Sequence, residues 1–134
     1  MCKKYYSIFT KARHKGNSCR SPIAEAVFNT EIKKMNLVNY WEADSAAILK
    51  YHITKADFNK YDWIFGMDGY IMEYLYKLKP ENSKAIVELL GKYDPKGETN
   101  IRDPLFDNGS YGFEKAFEQS LRSIQSFLEY HKNN

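Results

Sequence analysis

The sequence predicts an α/β fold, a sandwich built on a mostly parallel sheet. Three observations carry that expectation. Strand-type and helix-type segments alternate along the chain, the order that parallel strands with helical crossovers require. The stretch "YDWIFGMD", Tyr61 to Asp68, is apolar almost without a break, as a strand buried on both faces must be. A chain of 134 residues with 43% hydrophobic and 16% aromatic content holds a real core and the length of one domain, residues 1–134.

The elements follow in order. "KKYYSIFT" is β-prone and apolar enough for a strand over about Tyr5 to Phe9. After a loop, Ser21 is a good N-cap and Pro22 a good first helical residue. Ala24, Val27, Phe28, Ile32 and Met35 then recur at helical spacing. "NYWEAD" reads as a short strand, and "ITKADFNK" as a short helix capped by Thr54. Asp68 to Leu78 reads as a helix ended by Pro80. "AIVELL" fits strand or helix; it is read as strand because Gly91 and "DPKGET" close it quickly. Gly97 to Gly112 reads as loop, and the last helix, from near Ser110, is expected to bury Phe113, Ala116, Phe117, Leu121, Ile124 and Leu128.

Composition narrows the function. A net charge of +3 is too weak a bias to argue for nucleic acid, and no apolar run approaches a membrane span. Cys2 and Cys19 are too few for a disulfide framework, so a cytoplasmic setting is expected. His14, His52 and His131 show no metal-ligand spacing, and neither a metal nor another cofactor is expected. Lys3, Lys4, Lys11, Arg13, Lys15 and Arg20 all precede the first acidic residue, Glu25. This basic stretch fits a mitochondrial targeting segment, a solvated basic face, or an anion-attracting rim.

The loop before the first helix favours an anion. In "ARHKGNSCRSPIAEAVF", the segment Gly16 to Ser21 enters a helix N-terminus, where backbone N–H groups lack helical partners. A tight loop containing Gly16 can aim several N–H groups at one anion. Arg20 adds a planar fork suited to two phosphate oxygens, while Asn17 and Ser21 can hold the loop's shape. The competing reading is an ordinary strand-to-helix turn with a surface arginine.

"GNSCRSPIAEAVF" resembles the active-site loop and first helix of low-molecular-weight protein-tyrosine-phosphatases. "WEADSAA", "DWIFGMD", "VELLGKYDP" and "IRDPLFDNGSYGFEKAFEQSLRSIQSFLE" resemble the rest of that family, in the same order, from Gly16 to about Glu129. The resemblance implies a four-stranded parallel sheet flanked by helices, making three layers. It also implies a Cys-x5-Arg-Ser loop whose thiolate attacks phosphorus, an Arg on the equatorial oxygens, and an Asp-Pro acid that protonates the leaving phenol. By position, Arg20 is the clamp and Asp103 the acid. Gly16, Asn17, Ser18, Cys19, Arg20 and Ser21 are the phosphate-binding positions, and Ser45 is the serine that supports the loop. The implied ligands are phosphotyrosine-containing proteins or small phosphate monoesters.

The resemblance breaks at two places. Counting back from Arg20, the nucleophile position holds His14, whose ring is longer than a cysteine side chain and would crowd the phosphate. Cys19, beside Arg20, matches a second family cysteine that is not oriented for in-line attack; it fits equally a small buried side chain or an oxidation-sensitive thiol. Upstream, "TKARH" stands where the family's first strand runs into its cysteine. Lys11 and Arg13 would be costly inside a buried strand, which favours an earlier strand at "YYSIF" and a longer basic loop. The second break follows Ala47. Only Ile48 to His52 separate "DSAA" from "ITKADF", where the family has a long segment with an aromatic cleft wall and a helix. Leu105 and Phe106 stand where two tyrosines are common. Both breaks have sharp edges, as alternative splicing or a gene-model edge would leave.

Three functions are therefore expected to compete. One is a phosphate-binding relative with little or no catalysis, another a working phosphotyrosine phosphatase, and the third a truncated, poorly folded product.

Overall fold

A computed structural model describes residues 20–47, 53–101, 103–104 and 110–132, and the backbone alone of 4–10, 21, 46 and 47. In chain order the elements are β1 (Lys4–Thr10), α1 (Arg20–Lys34), β2 (Trp41–Ala47), α2 (Asp57–Lys60), β3 (Trp63–Gly66), α3 (Gly69–Leu78), β4 (Ile86–Leu89), a 3-10 turn (Leu90–Tyr93) and α4 (Tyr111–His131). The strands form a parallel sheet in the order β2-β1-β3-β4. Register aligns Ser7 with Asp44 and Ile64, and Ile64 with Val87.

Helices cover both faces, as an α/β sandwich requires. β3 shows why: all four of its residues are buried, with alternate side chains entering different cores. Trp63 and Phe65 join Ala24, Val27 and Phe28 of α1 and Ile124, Phe127 and Leu128 of α4. Ile64 joins Phe58 of α2 and Ile71, Met72 and Leu75 of α3. Phe127 organises the first core, with its ring edge-on to Trp41, Trp63, Phe65 and Tyr93 at centroid distances of 5.0–5.5 Å. That is the geometry preferred by aromatic quadrupoles.

The first strand spans Lys4–Thr10, where the earlier placement puts it; Lys11 to Cys19 lie outside the described residues. Several local expectations are corrected. α1 begins at Arg20, so Ser21 is inside the first turn rather than its N-cap, and Pro22 is not its first residue. Proline fits throughout a first turn because N–H groups there have no helical acceptor. Thr54 does not cap α2. Its N–H and hydroxyl donate to the Asp57 carboxylate at 2.8 and 3.4 Å, and the cap residue is Ala56. Just past the end of α1, Asn36 takes the left-handed region (φ 57°), and Leu37 N–H donates to Ile32 O at 2.7 Å.

The largest correction concerns α4. Phe113 and Phe117 are 43% and 47% exposed, and Leu121 is only partly buried. Ala116, Ile124 and Leu128 are buried as expected, and the same face carries Gly112, Gln119, Ser120, Ser123 and Phe127. Small residues at 112, 116, 120 and 123 let α4 lie close against its neighbours. This rotates the helix until Phe127, not Phe113 or Phe117, enters the core.

Candidate functional site

The carboxyl ends of β1 and β3 lie side by side, where ligands bind in open parallel sheets. Arg20, the first residue of α1, enters there. It is not a surface arginine: it is 4% exposed. A guanidinium this deep is tolerated only when its charge is paired and hydrogen-bonded. Its Nη1 donates to Asp68 Oδ2 at 2.7 Å and to the Ile101 carbonyl at 2.8 Å. Its Nη2 lies 3.9 Å from Asp103 Oδ2. Its Nε is buried and has no hydrogen-bond partner among the described residues. With Nη1 tied back, the Nε–Nη2 edge is the one left to grip a ligand, and that edge fits two oxygens of a tetrahedral anion.

The groups that hold Arg20 are themselves fixed. Asp68 follows β3 and caps α3. One carboxylate oxygen accepts from Arg20, and the other accepts from Ile71 N–H at 2.9 Å. Ile101 is fully buried, and its N–H donates to Met67 O at 2.8 Å, clipping the incoming chain to the end of β3. Two residues later Asp103 is also buried. Upstream, α4 anchors the same segment. Arg122 donates to both oxygens of Asp94 at 2.9 Å and to Glu98 at 3.1 Å. Gln119 donates to Glu98 at 2.8 Å and to Asn100 O at 3.3 Å. The hydrogen bond from Arg122 holds the Asp94 carboxyl below its ordinary pKa.

Ser45, at the end of β2, donates its hydroxyl to Glu25 of α1. It thus ties the second strand to the helix that carries Arg20. Next to it, Tyr61 reaches across from beyond α2 to donate to Asp44 at 2.9 Å. Burial and the hydrogen bond with Asp44 push the Tyr61 phenol above its usual pKa.

The structure thus brings Arg20 and Asp103 together, with Ser45 on a neighbouring strand. Gly16, Asn17, Ser18 and Cys19, together with His14, lie outside the described residues; of Ser21 the backbone alone is described. Sequence reading missed Asp68 and the Ile101 carbonyl as partners of Arg20. A signal for Asp68 was present: an acid directly after a buried strand and before a helix is both an N-cap and a group at a sheet's carboxyl end. Ile101 O carries no side-chain signal. Among the described residues no three His, Cys, Asp or Glu side chains cluster as metal ligands. Nor is any described helix long and apolar enough to cross a membrane.

Comparison with known proteins agrees with this fold. The family model "Low molecular weight phosphotyrosine protein phosphatase" matches residues 14–56. The rat protein of that description is 36% identical over 142 aligned residues, covering 85% of this chain and 89% of the relative. The crystal structure of Primo-1 superposes with a TM-score of 0.84 at 33% identity, over 98% of this chain and 99% of that one. That of DARP, a Drosophila arginine phosphatase, gives 0.80 at 30% identity, over 96% and 98% of the two chains.

Proposed function

Because the chain belongs to the low-molecular-weight phosphotyrosine protein phosphatase family, we propose that it binds phosphate monoesters, phosphotyrosine among them, with little or no turnover. The observation that supports this most is the state of Arg20. It is buried and pinned through Nη1, and its bidentate edge has Asp103 beside it. Charge on that edge, with the N-terminal N–H groups of α1, suits a dianionic phosphoryl group.

Turnover is a separate matter, and it rests on His14. Low-molecular-weight phosphatases split the reaction at a phosphocysteine. With His14 at that position, this chain has the clamp and an acid but no cysteine where the attack would begin. Loss of a covalent nucleophile costs several orders of magnitude in rate. The placement of Asp103 favours one second reading, an active phosphatase with another nucleophile, since an acid beside the clamp is where a leaving group would be protonated.

Phosphate or vanadate should raise the melting temperature of the wild type and leave that of Arg20→Ala unchanged, while p-nitrophenyl phosphate is not hydrolysed. His14→Cys should then raise turnover by orders of magnitude. Wild-type turnover abolished by Arg20→Ala and Asp103→Asn would overturn the inactive reading in favour of the second. Absence of any anion effect would refute the phosphate site, and a non-cooperative melt would favour a poorly folded product. Phosphoarginine belongs in the same panel, since one structural relative is an arginine phosphatase.

A further inference from the structure

We propose that Gln119 is a positioning residue for the phosphate site. Through it α4 sets where the Ile101 carbonyl stands, and so how Arg20 is held; the inference rests on the phosphate site described above. Gln119 is 2% exposed, on the buried face of α4. Its Nε2 donates to Glu98 Oε2 at 2.8 Å and to the Asn100 carbonyl at 3.3 Å. A carboxylate and a carbonyl are both acceptors, so the amide must turn its N–H groups toward them. That leaves its Oε1 buried and without a hydrogen-bond partner among the described residues. An unpaired buried oxygen costs stability. An apolar side chain of the same length would avoid that cost, but it could not hold the backbone at Asn100.

The peptide joining Asn100 to Ile101 is held at both of its polar ends. Its oxygen accepts from Gln119, and its N–H donates to Met67 O at 2.8 Å. A peptide unit is planar, so two such bonds fix the orientation of the whole plane. The next carbonyl along, that of Ile101, accepts from Arg20 Nη1 at 2.8 Å. Arg122 also anchors this segment, but at the Glu98 side chain, three residues before Ile101. Gln119 acts on the adjoining peptide. Hydrogen bonds weaken steeply with misalignment. If the Asn100 peptide turns, the Ile101 carbonyl swings away from Nη1. Arg20 then keeps Asp68 as a partner but loses the second bond that fixes the plane of its guanidinium against an anion.

Calorimetric titration of the full chain with inorganic phosphate tests this. Gln119→Met keeps the length of the side chain and removes its donors. It should bind phosphate about two- to thirtyfold more weakly than the wild type while still melting cooperatively. Gln119→Glu, which keeps the shape and puts acceptors against acceptors, should weaken binding at pH 8 as well. Phe58→Leu loosens the opposite core and should leave phosphate affinity unchanged. The nitrogen-15 NMR signal of the Arg20 Nε–H, assigned by its loss in Arg20→Lys, should move in Gln119→Met and stay in place in Phe58→Leu. Wild-type affinity in Gln119→Met, or an unmoved Arg20 signal, overturns the role of Gln119 and leaves the phosphate site standing. An equal loss of affinity in Phe58→Leu overturns it too, because general loosening would then account for the effect. If neither Gln119 variant melts cooperatively, Gln119 belongs to the fold and the proposal fails. If the wild type does not bind phosphate, or Arg20→Ala binds it equally well, the phosphate site itself fails and the role of Gln119 with it.

Discussion

Asp68 does two jobs with two oxygens, and its substitutions should separate them. Oδ2 accepts from Arg20 at 2.7 Å, and Oδ1 caps α3 through Ile71 N–H at 2.9 Å. Serine at this position keeps a cap acceptor but loses the carboxylate. Alanine loses both. Breaking a buried ion pair costs about 3–5 kcal/mol, and a hydrogen bond to a charged group about 1.5–3 kcal/mol. Arg20 keeps the Ile101 carbonyl and has Asp103 at 3.9 Å, and the Asp68 side chain is 29% exposed. Water therefore reaches the pair, and the lower part of that range applies, about 2 kcal/mol for Asp68→Ser. Losing the cap adds about 1 kcal/mol, which brings Asp68→Ala to about 3 kcal/mol. With an unfolding entropy near 2.1 cal/mol/K per residue, these correspond to drops in melting temperature of about 7 and 11 °C. Urea and thermal unfolding followed by circular dichroism would measure both. The reasoning fails if Asp68→Ser stays within about 0.5 kcal/mol of wild type, because Arg20 would then not depend on Asp68. It also fails if the serine and alanine variants unfold together, because the cap would then contribute nothing.

Two further perturbations probe the frame around the site. Arg122→Ala leaves the buried Asp94 carboxylate with the Lys96 N–H at 3.0 Å but without its bidentate partner, which should cost about 2–3 kcal/mol at pH 7. Asp94 has its pKa lowered in the folded state by Arg122. The stability it contributes is therefore complete above the unfolded pKa, near 4, and is lost as pH falls through the folded value. The gap between wild type and Arg122→Ala should close in acid, and urea unfolding at pH 7 and pH 3 would show a constant gap if the pairing were unimportant. Gly91→Ala places a methyl 2.2 Å from Thr99 O and 2.6 Å from Glu98 O, both backbone atoms. It should cost at least about 2–3 kcal/mol and loosen the segment that leads to Asp103; a melt equal to wild type would mean that this segment yields freely.

The sequence by itself determined the class of fold and singled out Arg20 as a candidate clamp. The alternation of elements, and the unbroken apolar run at Trp63–Gly66, demanded a sheet covered on both sides. Both signals are local, because burial on two faces leaves no polar position to hide. Arg20 and Asp103 were likewise legible, through the order of the motifs around them. Tertiary packing decided the rest. No periodicity distinguishes Phe117 from Phe127 as the ring that enters the core, since both lie on plausible helical stripes. The small residues at 112, 116, 120 and 123 settle it by how closely α4 can approach. Nor does spacing reveal that Arg20 is held by Asp68, 48 residues away, and by a backbone carbonyl 81 residues away. Those partners meet only because parallel pairing of β1 with β3 puts their ends side by side. They occupy Nη1 and leave Nε without a hydrogen bond among the described residues.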